Sequence, residues 1–311
     1  MVLVKTAGRG VEAERGGADG VEAVKVAILG CGFIGGSLAA ALRRRRLASS
    51  ITGYDIDPQT AAHGVALGLF DASAAGAAQA VRGADLVVLA APVGSISALF
   101  GQIDAEIGAD SVVTDVGSTK AGLIGAARAA LGRAFERFVP AHPIAGGERP
   151  GLEAADPDLF EECTVVITTT GETRADSVLR VEQMWRSCGA RIAKMDAAEH
   201  DRILACVSHL PHLLAYALVA HIAGRADSER LLSLAGPGFR DFTRIAASSP
   251  QLWRDIVLAN REALGSELNE LIAKLQQIET ALAAGDSRAL QELFELASRT
   301  RRAFGGRRDG A

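Results

Sequence analysis

Between residues 24 and 195 the chain alternates short apolar runs with longer stretches in which apolar positions recur every three to four residues. The runs at 26–29, 51–54, 86–90, 112–115, 138–141, 165–168 and 191–194 have the length of strands. The stretches between the earlier runs, such as 36–46 and 58–68, follow the helical period. Strand–helix alternation predicts a parallel sheet. The run at 86–90 has no polar alternation, which predicts a strand buried on both faces. After residue 196 the strand-like runs stop, and helical periodicity covers 197–223, 228–234 and 250–284. The segment 251–282 reads as one long helix with Trp253, Ile256, Val257, Leu264, Leu268, Leu271, Leu275 and Ile278 on one side, a face that needs another helix to cover it. The expected architecture is an α/β domain over 25–195 followed by an all-helical domain over 196–300. Residues 1–24 and 301–311, rich in glycine, alanine and charge, read as flexible extensions.

Composition narrows the functional classes. Lys plus Arg number 33 against 37 Asp plus Glu, so no global basic field exists to drive nucleic-acid binding. Aromatic residues make up only 5%, which argues against base stacking as a main activity. Cys31, Cys163, Cys188 and Cys206 are scattered, with neither zinc nor disulfide spacing, which suits a reducing cytoplasm. No apolar run approaches the roughly 18 residues of a membrane span, so no membrane partner is expected.

The most specific local signal follows the run at 26–29. There Gly30-Cys31-Gly32-Phe33-Ile34-Gly35 forms G-x-G-x-x-G between a strand and a helix. Gly30 permits the tight turn, Gly32 lets a pyrophosphate approach the backbone, and Gly35 lets the helix pack closely on the strand. Phe33 and Ile34 lie in the same loop. The second strand ends in Asp55, about twenty positions after Gly35, where an acid accepts the ribose hydroxyls. A carboxylate there repels a 2′-phosphate, which favours NAD over NADP; Arg43–Arg46 lie at the far end of the helix. The expected domain is therefore Rossmann-type, with Ala91 and Pro92 as a further wall of the nucleotide site.

Three groups converge on the carboxyl edge of the predicted sheet. His142 closes the run at 138–141 and opens the small-residue turn through Glu148, a place suited to a proton acceptor beside a ligand. Ser118 follows the run at 112–115, where it either offers a hydroxyl to the cofactor site or caps the helix starting at 119 or 120. The helical half adds Ser208-His209-Leu210-Pro211-His212 and Arg244, which lies in an apolar stretch and reads as a buried partner of a carboxylate. His209 and His212 are spaced like a metal pair, but no carboxylate accompanies them; His212 reads instead as a hydrogen-bond donor to a ligand.

Residues 30–38, 115–120, 142–148, 208–212 and 242–246, in this order, resemble the prephenate and arogenate dehydrogenases of tyrosine biosynthesis. The resemblance covers residues 24–285, and His-Pro-Ile-Ala-Gly and Ser-His-Leu-Pro-His carry most of it. It implies oxidative decarboxylation of a cyclohexadienol with NAD as cofactor, and a homodimer formed through the helical domain. It also implies that His142 is the base and that Ser118 orients the substrate hydroxyl. Arg244 would hold a substrate carboxylate, with His212 and Ser208 as further contacts. Glu148 is assigned to gating the pocket or to meeting the amino group of an alanyl side chain. Residue 147 is Gly where some relatives carry a hydroxyl side chain.

Overall fold

A computed structural model describes residues 24–147, 149 and 151–305. Glu148 and the N-terminal extension before Val24 lie outside the described residues. The first domain runs β1 (Val24–Leu29), α1 (Phe33–Arg44), β2 (Ala48–Tyr54), α2 (Pro58–Ala66), β3 (Ala72–Ser73), α3 (Ala77–Val81), β4 (Leu86–Leu89), α4 (Val93–Ile103), β5 (Val112–Asp115), α5 (Ala121–Ala130) and β6 (Phe138–Val139). These six strands form a parallel sheet in the order β3-β2-β1-β4-β5-β6. Strand order reverses between β1 and β4, and the crevice at that switch point is where such sheets bind ligands. β4 and β5 are buried along their whole length; β4 is apolar throughout, as that burial requires, while β5 ends in the buried Asp115.

The run at 138–141 is not one strand. Pro140 has no amide hydrogen for the ladder, and the chain changes sheet there. It continues as β7 (Ala141–Pro143), which pairs antiparallel with β8 (Thr164–Ile167). After α6 (Ala175–Ser187), β9 (Arg191–Lys194) pairs parallel with β8, completing a separate three-stranded sheet. His142 therefore lies within a strand, opposite Val166, rather than in the turn after one. Phe160, Val165, Ile167 and Trp185 pack in the same apolar cluster as Leu38 and Leu42 of α1, which fixes the small sheet against the large one.

The second domain opens with α7 (Ala197–Leu204), one π-helical turn (Ala205–His209) and α8 (Leu210–Ala223). Pro211 cannot donate to the carbonyl four residues back, and a widened turn precedes it. The whole element, Ala197–Ala223, is long and apolar enough by length and composition to cross a membrane, contrary to the expectation from short runs. It packs on the helices that follow, α9 (Ser228–Ser233), α10 (Pro237–Thr243), α11 (Pro250–Ala259) and α12 (Arg261–Ala284), and α13 (Ser287–Gly305) packs on α12. The stretch read as one long helix is broken at Asn260, a buried polar residue whose side-chain amide donates to the Asp201 carbonyl of α7. The chain also stays helical to residue 305, beyond the expected start of a flexible tail at 301.

Candidate active site

At the end of β1, Gly30 turns the chain with φ of +108°, a conformation L side chains rarely adopt. A Cβ there would lie 2.5 Å from the backbone at Ala90–Ala91, and one on Gly35 would lie 2.0 Å from the Gly30 carbonyl oxygen. Gly32, in contrast, faces open space, with nothing within 4 Å of its missing Cβ. The open amide face at the start of α1 is a ready site for phosphate. Asp55 follows β2; its Oδ2 accepts the Cys31 amide at 2.8 Å and its Oδ1 the Asp57 amide at 3.1 Å. A cavity of about 700 Å³ opens here. Gly30, Gly32, Phe33, Ile34, Asp55, Ala91, Pro92 and Ser118 all line it, and Leu252 and Ile256 of α11 form a wall from the second domain. Gly35 does not line it and acts through packing alone. Arg43 and Arg44 are engaged elsewhere, with Asp71 and Asp158, so they do not bear on a 2′-phosphate. These features fit NAD: an open phosphate turn, a carboxylate at the ribose position and a cavity of the right scale.

Behind the cavity lies a buried polar cluster. Asp115 ends β5, and its carboxylate accepts the Lys120 ammonium at 2.5 Å, the Gly117 amide at 2.7 Å and the Ala141 amide at 3.2 Å. Lys120 Nζ also donates to the Ala141 carbonyl at 2.8 Å. Burial raises the Asp115 carboxyl and lowers the Lys120 ammonium, while their mutual attraction opposes both shifts. This pair fixes the backbone just before His142. The His142 ring is 9% exposed; its Nδ1 lies 2.9 Å from His200 Nε2, and His200 Nδ1 lies 2.8 Å from Asp201 Oδ1. Burial holds the His142 imidazole well below its usual range, and Lys120, His200 and His209 push the same way.

Ser118 is half-buried at the cavity wall and does not cap a helix. α5 starts at Ala121, and its amides at Lys120 and Ala121 are taken by the Asp201 carboxylate of α7 at 2.8 and 2.9 Å. A residue of the second domain thus caps a helix of the first.

His212 is half-buried and donates from Nδ1 to the Ser208 carbonyl at 2.9 Å. Its ring stacks on Trp253 with centroids 3.6 Å apart. Burial lowers the imidazole, the Ser208 bond opposes this, and Arg244 lowers it further. A neutral His212 with its proton on Nδ1 leaves Nε2 as an acceptor, so the expected donor role is corrected. Arg244 is exposed rather than buried, at the start of a 3-10 turn (Arg244–Ala247). At position 147 a Cβ would meet the Phe33 ring at 2.8 Å, so a side chain here requires that ring to move.

Sequence reasoning did not find His200, Asp201, Lys120, Asn260 or Trp253 as site residues. Asn260 donates from Nδ2 to the Asp201 carbonyl at 2.7 Å and lies 3.0 Å from His209 Nδ1. Their signal was chemical only: a His-Asp pair shortly before the Ser208–His212 motif, and an Asn interrupting an apolar helix face.

The sheet order, the glycine turn, the acid after the second strand and the imidazole cluster behind the cavity define an NAD-dependent dehydrogenase of the Rossmann type. Residues 38–194 match the family described as prephenate dehydrogenase, nucleotide-binding domain, and residues 196–296 match prephenate dehydrogenase, dimerization domain. The chain belongs to the prephenate dehydrogenase family, and NAD is its cofactor. It is 35% identical to a cyclohexadienyl dehydrogenase of Zymomonas mobilis over 281 residues, 90% of this chain and 95% of that one. Its structure is similar to prephenate dehydrogenase from A. aeolicus in complex with hydroxyphenyl propionate and NAD+, with a TM-score of 0.85, 33% identity, and coverage of 91% of this chain and 99% of that one. It is also similar to Synechocystis arogenate dehydrogenase, with a TM-score of 0.75, 26% identity, and coverage of 90% and 99%.

Proposed function

We propose that this chain catalyses the NAD-dependent oxidative decarboxylation of prephenate, arogenate or both, yielding 4-hydroxyphenylpyruvate or tyrosine, within tyrosine biosynthesis. One observation carries the reading at the level of chemistry. His142 is a buried imidazole whose Nδ1 is taken by His200, and no group among the described residues binds its Nε2. Through Ala141 and Asp115 it is tied to the strand end that leads to Ser118 and the dinucleotide cavity.

Bound NAD+ supplies the hydride acceptor. The substrate carbon bearing the hydroxyl gives up a hydride, and the ring carboxylate leaves as CO2 with its bonding electrons retained in the ring. The product is a phenol, so no net proton is released. His142 Nε2 accepts the hydroxyl proton as the carbonyl character grows and returns it to the phenolate oxygen as the ring becomes aromatic. Ser118 orients the same hydroxyl. Arg244 anchors a substrate carboxylate; a firm bridge to the carboxylate that departs as neutral CO2 holds substrate without helping the chemistry. Ser208 and His212 contact the substrate, with His212 Nε2 accepting from a hydroxyl or ammonium group. Glu148, outside the described residues, is assigned from its place in the sequence motif to gating or to the amino group of arogenate.

The protein works as a soluble cytoplasmic homodimer with no membrane or nucleic-acid partner. Support comes from the dimerization-domain match and from the apolar side chains Ile272, Leu275, Leu282 and Phe294, exposed on α12 and α13 of a single copy. Light scattering on the purified protein distinguishes dimer from monomer. Prephenate or arogenate is mixed with NAD+ and the absorbance of reduced nicotinamide followed; the ratio of the two kcat/KM values names the preferred substrate. No reduced nicotinamide with either compound overturns the assignment.

A further inference from the structure

The buried cluster decides which nitrogen of His142 is available for chemistry. Asp201 is nearly enclosed, yet its carboxylate accepts three hydrogen bonds, from the Lys120 and Ala121 amides and from His200 Nδ1. The two amides open α5, so the carboxylate also sits at the positive end of a helix. Burial works against the charge on Asp201, but the bonds from His200, Ala121 and Lys120 outweigh it and hold the carboxyl below its ordinary range. An ionised carboxylate only accepts, so His200 Nδ1 carries a proton. In a neutral His200 the other nitrogen, Nε2, is then a lone pair. Its 2.9 Å partner, His142 Nδ1, must be the donor. His142 is left with an unprotonated Nε2.

The opposite arrangement requires a doubly protonated His200 donating to His142 Nδ1, which would put the remaining His142 proton on Nε2 and remove the base. His200 is fully buried, and the titratable groups around this pair are Asp201 bonded to His200, the Lys120 ammonium with Asp115 on the first-domain side, and His209 in the π turn. The structure offers His200 one carboxylate oxygen at Nδ1 and one imidazole nitrogen at Nε2, a set that a ring protonated at Nδ1 alone satisfies in full.

We propose that His200 and Asp201 are positioning residues that hold His142 in the Nδ1-protonated tautomer and stabilise the imidazolium formed when its Nε2 takes the substrate hydroxyl proton. The substrate O–H bond breaks as the Nε2–H bond forms. The His142 Nδ1–H bond to His200 and the His200 Nδ1–H bond to Asp201 then connect the new positive charge to a fixed carboxylate. The charge is transient, because the same proton returns to the phenolate oxygen. The cluster has a second consequence. Asp201 and His200 lie on α7 of the helical domain, whereas His142, Lys120 and Ala121 belong to the nucleotide domain, so the tautomer is set only when the two domains are docked. The inference rests on the reading of His142 as the base.

Two measurements test it. In the first, the wild-type protein is labelled with 15N-histidine, saturated with NAD+, and its imidazole tautomers read by NMR, with His142→Asn identifying the signal. The expected result is a neutral His142 protonated at Nδ1; protonation at Nε2 overturns the proposal without any variant having to fold. In the second, Asp201→Asn and His200→Gln are compared with His142→Asn in prephenate turnover with NAD+. Asp201→Asn is expected to lower kcat about 100-fold, near the low end of what a general base contributes, with KM within threefold and the acid limb of the kcat–pH profile displaced. His142→Asn losing activity while both relay variants keep kcat within threefold and an unchanged profile rejects the relay and leaves the base intact. His142→Asn retaining kcat rejects the base itself.

Discussion

The His212 ring lies flat on Trp253, with centroids 3.6 Å apart and planes 19° apart. Trp253 comes from α11, whose Leu252 and Ile256 line the dinucleotide cavity, so the stack couples His212, proposed as a substrate contact, to the wall of the cofactor site. Replacing Trp253 by Leu removes the stack while keeping an apolar side chain. Aromatic stacking of this kind is worth about 0.5–1.5 kcal/mol. The expected outcome is a KM for substrate raised about 3- to 10-fold with kcat changed less, measured by steady-state kinetics. An unchanged KM would show that the stack does not place His212.

For His142 the pH dependence has a definite sign. Its imidazole is held well below 6.5, and protonation removes the base. Activity is therefore lost on the acid side, with kcat flat through neutral pH and falling only well below pH 6.5. His142→Asn should lower kcat by about 10²–10⁴ with substrate affinity nearly kept, and should abolish that acid limb. A limb centred near 6.5 in the wild type would contradict the buried environment.

Arg244→Gln keeps polarity and removes the charge. A hydrogen bond to a charged group contributes about 1.5–3 kcal/mol, so KM should rise roughly 10- to 100-fold with a smaller change in kcat. A collapse of kcat at constant KM would mean that Arg244 acts on the transition state rather than on substrate capture.

His209 links pH to stability. It is 1% exposed, and its imidazole is lowered to about 4, chiefly by burial. In the unfolded chain it titrates near 6.5, so between pH 6.5 and 4 the unfolded state binds the extra proton. The stability that depends on neutral His209 is full above pH 6.5 and drains away as pH falls toward 4, by about 3 kcal/mol. Urea unfolding at pH 7 and pH 4.5 tests this by comparing wild type with His209→Gln. The variant should show the smaller loss on acidification; equal losses would assign the acid sensitivity to other groups.

Gly35→Ala forces a Cβ to within 2.0 Å of the Gly30 carbonyl oxygen. α1 must shift away from the turn, at an overpacking cost of about 1–3 kcal/mol. Both the melting temperature and NAD+ affinity should fall. By contrast Gly32→Ala, with open space around it, should cost affinity for NAD+ while leaving the melting temperature of the free protein nearly unchanged.

The first domain was largely legible because its signals are local. Buried parallel strands read as unbroken apolar runs, and G-x-G-x-x-G followed by Asp55 combines a backbone requirement with a spacing. The edge strand Ala72–Ser73 was missed because two residues carry no pattern, and Pro140 was counted within a strand although its missing amide moves the chain to another sheet. In the helical domain periodicity found the helices but not their interruptions. The π turn before Pro211 follows from a missing amide hydrogen and the break at Asn260 accompanies a side chain that bonds across the fold, and hydrophobic spacing records neither.

The same division runs through the site. Ser118 and the glycine turn follow strand ends, where chain order and sheet topology together place chemistry, and the sequence by itself located them; His142 it located by motif, although the residue lies inside β7. The exposure of Arg244, the stacking of His212 and the replacement of Ser118 by Asp201 as the cap of α5 were decided only by tertiary structure. So was the His142–His200–Asp201 chain, in which His142 and His200 lie 58 residues apart in sequence and 2.9 Å apart in space, and the adjacent Asp201 lies 2.8 Å from His200 Nδ1. A motif can name an imidazole, but which of its nitrogens carries the proton depends on the partner of the other nitrogen, and that partner comes from a different domain.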